Sequence, residues 1–248
     1  MEVILKDNER IDDLQLNNLK IIQNKDGFCF GIDAVLLSDF AKDIRNNSKV
    51  LDLGTGTGIV GTLLCSKTNL SKIYGIDIQK DVCDMASRSV KLNNLENKFE
   101  IINTNIKDLE TIFEEASFDA IVSNPPYKKD NSGLKNEAET KLISRHEITA
   151  SLEDFISISS KLLKSNGNIY MVHRPERLSD LFYLLKKYNL EPKKLRMVQS
   201  YVDSNPKLVL VKATKSAKSF LNIEKPLIIY NKDGSYTDEI FKIYEKGE

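Results

Sequence analysis

Val50-Leu51-Asp52-Leu53-Gly54-Thr55-Gly56-Thr57-Gly58-Ile59-Val60-Gly61 is the stretch on which the reading of the fold turns. Val50–Leu53 is a short β-rich run and Ile59–Lys67 reads as a helix, so three alternating glycines occupy a strand-to-helix turn. Glycine permits positive φ and lets a ligand approach the main chain closely. The helix start offers amide groups to a polar or anionic ligand. The following strand, Lys72–Ile76, leads into Asp77, where a carboxylate can accept hydrogen bonds from a ribose diol. Gly56, Gly58 and Gly61 also satisfy the G-x-G-x-x-G spacing of dinucleotide sites, with Asp77 lying 21 residues beyond Gly56. Asp52 speaks for a different nucleoside ligand, because a carboxylate at that strand end repels a pyrophosphate and can pair with an ammonium. On the glycines alone a dehydrogenase stays open.

Outward from this turn, β-rich and helical runs alternate. Asp81–Leu92 is a helix, Phe99–Ile102 and Phe118–Val122 are strands, and Ser151–Leu163 is a helix. Ser151 and Asp154 have capping-box spacing, and Phe155, Ile156, Ile158 and Leu162 recur at helical spacing. Ile169–Val172 is a strand and Leu178–Tyr188 a helix. Lys194–Ser200 and Leu208–Ala213 follow with no helix between them, which predicts an antiparallel hairpin. Such alternation implies an α/β fold, a mostly parallel sheet with helices on both faces. The expected division is an N-terminal extension over 1–48 packing on the core, a core over 49–215 and a C-terminal extension over 216–248.

The chain has 248 residues, 41% hydrophobic and 29% charged, which is ordinary for a globular domain and too apolar for a disordered one. No apolar run reaches the roughly 18 residues of a membrane span. The N-terminal residues lack the pattern of an export signal, so a cytoplasmic location is expected. Three widely spaced cysteines, Cys29, Cys65 and Cys83, point to a reducing compartment and no disulfide framework. The only histidines are His146 and His173, with no metal-ligand spacing, so no metal is expected and a zinc hydrolase is disfavoured. The net charge of zero hides an asymmetry: residues 161–218 carry 13 Lys+Arg against 4 Asp+Glu, a net of +9. That segment suits either a polyanionic partner or a solvated lysine-rich surface.

After the fourth strand comes Ser123-Asn124-Pro125-Pro126-Tyr127. Two prolines fix φ and remove two backbone donors. Carbonyl acceptors remain, Asn124 adds a side-chain carbonyl and Tyr127 an aromatic plate. Together they can accept both protons of a planar –NH₂ group and stack its π-system. At the carboxyl edge of a parallel sheet, this segment lies where ligands bind in such folds.

Asp-x-Gly-x-Gly-x-Gly over Asp52 to Gly58, followed by Gly75-Ile76-Asp77-Ile78, resembles the cofactor motifs of class I S-adenosylmethionine-dependent methyltransferases. The resemblance implies a Rossmann-like, mostly parallel seven-stranded sheet with an antiparallel C-terminal hairpin. It also implies an S-adenosyl-L-methionine site (product S-adenosyl-L-homocysteine) formed by Asp52, Leu53, Gly54, Thr55, Gly56, Gly58, Asp77 and Ile78. Asn105 and Ile106 fall where that family contacts the adenine, although many members have Asp where this chain has Asn105. The Asn-Pro-Pro-Tyr tetrad resembles the signature of methyltransferases acting on nitrogens conjugated to a ring or a carbonyl. It implies catalytic roles for Asn124, Pro125, Pro126 and Tyr127, with Asn124 also near the cofactor.

Three further segments are similar to a bacterial tRNA(Val) adenine-N(6) methyltransferase family: Asp26 to Leu37, Ser144-Arg145-His146-Glu147, and Pro226 to Tyr230 with Tyr236-Thr237. That resemblance covers nearly the whole chain. It implies tRNA as the partner, with an adenine beside the anticodon as the target. Cofactor contacts follow for Phe30 and Asp33, and substrate contacts for Tyr127, Lys128, Lys129, Arg145, His146 and Arg174. Phe30 also reads as a core or strand residue, the commoner role for such a phenylalanine, and Asp33 as a helix N-cap. The polar stretch 128–147 reads as a substrate-facing flap. The chain is expected to act as a monomer without membrane or metal. A protein glutamine amide and another RNA adenine are the alternative targets. About 248 residues leave little room for a separate DNA-recognition domain, and 1–48 are too few for the helical domain of the glutamine enzymes.

Overall fold

The computed structural model describes residues 4–26, 31–126 and 150–244. Its centre is the crossover unit predicted from the glycine turn. Strand β3 (Lys49–Leu53) feeds helix α2 (Ile59–Lys67), and β4 (Lys72–Asp77) feeds α3 (Lys80–Leu92). Strands β5 (Phe99–Asn103) and β6 (Phe118–Ser123) follow, then α4 (Leu152–Leu162), β7 (Leu163–His173), α5 (Leu178–Lys187) and the hairpin β8 (Leu190–Gln199) with β9 (Pro206–Lys215). The spatial order is β5-β4-β3-β6-β7-β9-β8. Neighbours from β5 to β7 are parallel, and β9 runs antiparallel to both β7 and β8.

These are the seven expected strands, but the sheet is wider than expected. Two short strands of the C-terminal extension, β10 (Asn222–Ile223) and β11 (Leu227–Ile228), pair in parallel with the outer edge of β8. They cover an edge that would otherwise present unpaired backbone groups. A six-residue helix, α6 (Asp238–Ile243), follows, capped by the Thr237 hydroxyl.

Strand β7 begins earlier than the predicted Ile169. It leaves α4 directly at Leu163, which pairs with Phe118, and regains regular pairing at Asn168 opposite Ala120. The intervening residues include Asn166 at φ 63, a turn-like conformation inside an irregular strand. The capping box at Ser151 and Asp154 is present in full.

Alternation along β3 divides the core. Val50 joins one apolar cluster with Leu36 and Leu37 of α1 (Ile32–Phe40), Leu63 and Leu64 of α2, and Ile240 of α6. Leu51 and Leu53 join the other, with Phe155, Ile156 and Leu162 of α4 and Leu181 and Leu185 of α5. The first cluster also takes Ile21 of the N-terminal hairpin, β1 (Glu9–Asp13) with β2 (Lys20–Asn24). Both terminal extensions therefore share the core of the central sheet. Gly61 is required where α2 crosses β5, because a Cβ there would lie 2.3 Å from the Phe99 ring. The third glycine of the dinucleotide-like spacing is thus explained by helix–sheet packing.

Candidate active site

Four strand ends converge at the carboxyl edge of the sheet: β3 at Leu53, β4 at Asp77, β5 at Asn103 and β6 at Ser123. The glycine turn leaves β3 with Gly54, Gly56 and Gly58 at φ 73, 55 and 84, the left-handed region that a side chain disfavours. A Cβ at Gly56 would meet no atom within 4 Å, so the main chain there faces open space. The turn is anchored on the neighbouring strand, because the Gly54 and Thr55 amides both donate to the Ile76 carbonyl at 2.9 Å.

Asp77 is nearly buried and fixed by the backbone. Its Oδ2 accepts from the Gly56 amide and its Oδ1 from the Gln79 amide, each at 3.0 Å. The Gln79 side-chain amide makes a longer contact to Oδ1 at 3.5 Å, so of the roughly four lone-pair sites of a carboxylate the open one for a ribose hydroxyl is on Oδ2. Beside it Ile78 is 37% exposed, an apolar surface at the rim. Asn103 donates to the Asp77 carbonyl at 3.0 Å and steadies the same corner.

Several expected contacts sit elsewhere. Asp52 is 1% exposed and lies under the turn, not at its mouth. It shares a strand face with Val50 and accepts from the Thr55 hydroxyl at 2.7 Å. Burial pushes its carboxyl up to about 7. Its partner is the turn's own Thr55 hydroxyl. Thr55 is likewise buried in this support. The Leu53 side chain is fully buried and its carbonyl accepts from the Ser123 hydroxyl, so any ligand contact there is with main chain. Ile106 is 6% exposed and belongs to the core under α4. Asn105 caps the 3-10 turn Ile106–Thr111, its side-chain oxygen accepting from the Lys107 amide at 3.0 Å.

The structure brings Asp33 and Asn124 together across 91 residues of sequence: Asn124 Nδ2 donates to Asp33 Oδ2 at 2.9 Å. Gly31, not Asp33, occupies the N-cap of α1, and Asp33 lies in its first turn. A Cβ on Gly31 would lie 2.8 Å from Asp33 Oδ1, so glycine makes room for that carboxylate. A carboxylate only accepts, so the contact fixes which end of the Asn124 amide faces α1. Pro125 is buried and Pro126 half-buried. Phe30, Tyr127, Lys128, Lys129, Arg145 and His146, and with them the expected flap over 128–147, lie outside the described residues.

Arg174 follows β7 on the same edge, exposed, with Nη1 donating to the Lys207 carbonyl at 3.3 Å. His173 is buried, accepts the Arg174 amide at its Nδ1, and has its pKa lowered to about 4 by burial. Much of the positive charge in 161–218 forms ion pairs: Lys164 with Asp119, Lys186 with Glu191, Lys187 with Glu153, Arg196 with Glu239 and Lys212 with Asp43. Among the described residues no three His, Cys, Asp or Glu are grouped to hold a metal, and no helix is long and apolar enough to cross a membrane.

A glycine turn after β3, an acid at the end of β4 and an Asn-Pro-Pro corner after β6 agree with the family comparison. The model of the methyltransferase small domain matches residues 25–187. The chain belongs to that family. Among curated relatives, a tRNA1(Val) (adenine(37)-N6)-methyltransferase of Parabacteroides distasonis is 31% identical over 206 residues, 82% of this chain and 85% of the relative. A protein of the same name from Porphyromonas gingivalis is 29% identical, covering 87% of this chain and 86% of its own length. Among solved structures, a predicted O-methyltransferase of Agrobacterium tumefaciens superposes with a TM-score of 0.70 at 18% identity, covering 86% of this chain and 95% of that one. M. jannaschii TYW2 in complex with AdoMet gives 0.58 at 16%, covering 85% and 87%. The family member described here is a methyltransferase with the class I α/β fold.

Proposed function

We propose that the protein transfers a methyl group from S-adenosylmethionine to the exocyclic amine of an adenine in tRNA, the purine beside the anticodon of a valine tRNA. The names of the relatives support the substrate, and the Asn124–Asp33 contact carries the chemistry. On this reading the open main chain of Gly54 to Gly58, the Asp77 carboxylate and the Ile78 rim hold the cofactor's polar, ribose and apolar parts. Asn105 borders the same corner. Asp52 and Thr55 act from beneath by setting the shape of the turn. The cofactor supplies an already activated methyl group when bound, so the protein provides no nucleophile.

The remaining difficulty is the amine, whose lone pair is delocalised into the ring. Asp33 holds the nitrogen of the Asn124 amide, which directs the carbonyl end away from α1. That carbonyl and the Pro125 carbonyl accept the two amine protons, drawing the nitrogen towards sp³ and exposing its lone pair. Fixed acceptors of this kind also stabilise the positive charge that develops on nitrogen. Orientation of the base, with Tyr127 as its stacking partner, supplies several kcal/mol of barrier reduction, up to about 7–11 in well-positioned systems. The proton then leaves to water without a general base. Lys128, Lys129, Arg145, His146 and Arg174 are read as RNA contacts, Phe30 as a lid over the cofactor, and the protein as a cytoplasmic monomer. Titration calorimetry tests the cofactor: binding of S-adenosylhomocysteine without binding of NAD is expected. The reverse would return the glycine turn to the dinucleotide reading.

A further inference from the structure

The turn Tyr201 to Asn205 joins β8 to β9. Because Val209 of β9 pairs with both His173 of β7 and Met197 of β8, this turn leaves the sheet on the same edge as Asn124. Two strands, β7 and β9, separate β8 from β6. At strand spacings of about 4.7–4.9 Å the turn lies roughly 15 Å from Asn124 along the edge, within reach of a single strand whose target base occupies the site.

Aromatic rings are ranked there. Tyr201 stands 5.6 Å from Tyr230 (centroids, 37° between planes), Tyr230 lies 5.4 Å from Tyr236 at 12°, and Tyr236 lies 6.0 Å from Tyr244 at 18°. The aromatic cluster under the sheet is different: Tyr74, Phe113 and Phe118 meet edge-on at 71° to 85°. From Tyr230 to Tyr244 the rings are ranked near-parallel, as bases are in a stack, and Tyr201 leans on the end of that rank at a tilt. The rank is fixed from below, since the Tyr230 amide donates to the Ser200 carbonyl at 2.9 Å and Tyr230 bridges to Tyr236. Exposure is greatest at the Tyr201 end. Tyr244, Tyr236 and Tyr230 are half-buried, Tyr201 is 40% exposed, and the adjacent Val202 is 67% exposed. The exposed Arg174 and Lys207 lie on this edge, with Asp203 in the turn as the opposing charge.

We propose that Tyr201 is the open end of this rank and takes an unpaired base of the RNA substrate flanking the target adenine, with Arg174 and Lys207 beside its phosphate. The proposal rests on the tRNA reading above and extends it to how the loop is held. Stacking tolerates any base because every base has a π-face. It therefore contributes affinity and register, and leaves the choice of target to the Asn124 corner.

The chain contains no tryptophan, so Tyr201→Trp keeps an aromatic plate and adds a single fluorophore. The probe is an unmodified tRNA transcript titrated into the full-length protein. Tyr201→Trp is expected to bind with wild-type affinity and to lose emission as the complex forms. Tyr201→Ala is expected to raise the Kd about 5- to 150-fold, the range for one lost base–aromatic stack, while S-adenosylhomocysteine affinity and thermal stability stay near wild type. A Tyr201→Ala Kd within twofold of wild type, or unchanged Tyr201→Trp emission at saturating tRNA, overturns the proposal. Tight tRNA binding by the wild type and quenching of Tyr201→Trp as described, with no adenine methylated by the wild type, would refute the tRNA-adenine reading and leave the stack standing.

Discussion

Asp33→Ala separates positioning from cofactor binding. In the structure Asp33 Oδ2 accepts the Asn124 amide nitrogen at 2.9 Å, and its Oδ1 accepts the Ala34 amide at 3.0 Å. Removing the carboxylate leaves Asn124 able to turn either end of its amide towards the amine, and only the carbonyl end accepts a proton. A hydrogen bond to a charged group contributes about 1.5–3 kcal/mol, so loss of this orientation should lower the transfer rate about 10- to 150-fold at 1.36 kcal/mol per decade. That range reaches only the lower end of the 10²–10³ expected for Asn124→Ala, which removes the acceptor itself, by analogy with a lost oxyanion-hole donor. Asp33→Asn retains one acceptor oxygen and should fall between Asp33→Ala and wild type. The assay is single-turnover methylation of unmodified tRNA, with S-adenosylhomocysteine affinity measured in parallel. Because the two residues act as one unit, the double variant should be no slower than Asn124→Ala alone. A wild-type rate for Asp33→Ala, a defect confined to cofactor affinity, or multiplicative losses in the double variant would refute the reasoning.

Asp77→Ala deprives the Gly56 and Gln79 amides of their acceptor as well as any diol, so calorimetry should show at least tenfold weaker S-adenosylhomocysteine binding together with a lower melting temperature without ligand; unchanged affinity would remove Asp77 from the site. Gly61→Ala places a methyl group against Phe99 and should destabilise the fold by about 1–3 kcal/mol in urea titrations, with partial rescue by Phe99→Leu. Asp52 has a folded pKa raised to about 7, so the folded state binds its proton more tightly than the unfolded chain does. Its destabilising contribution is absent below the ordinary carboxylate range and grows as pH rises from about 4 to 7, to about 4 kcal/mol at 1.36 kcal/mol per unit. Asp52→Asn should therefore flatten the melting temperature between pH 5 and 8; an unaltered pH profile would place the proton elsewhere.

The crossover units, the hairpin and the capping box were legible because each is written locally, in the glycines, in hydrophobic periodicity and in Ser151 with Asp154. The widened sheet was not, since strands of two residues such as Asn222–Ile223 carry no periodicity. Asp77 could be placed from its strand, and strand alternation also held an unused clue to Asp52: with period 2 it shares the buried face of Val50, which directs it under the turn. The Asp33–Asn124 contact joins residues 91 apart in the chain, and only the packing of α1 over β7, the strand next to β6, creates it. The charge of residues 161–218 was visible as a sum. Its use in ion pairs depended on acidic partners from other elements, among them Asp43, Asp119 and Glu153.

The central claim is tested most directly by nucleoside mass spectrometry of unmodified tRNA incubated with S-adenosylmethionine and either the wild-type protein or Asn124→Ala. N6-methyladenosine is expected at the purine beside the anticodon of valine tRNA with the wild type, and at least a hundredfold slower accumulation with the variant. Absence of any methylated adenine from the tRNA, with methyl label appearing on a protein glutamine instead, would contradict it.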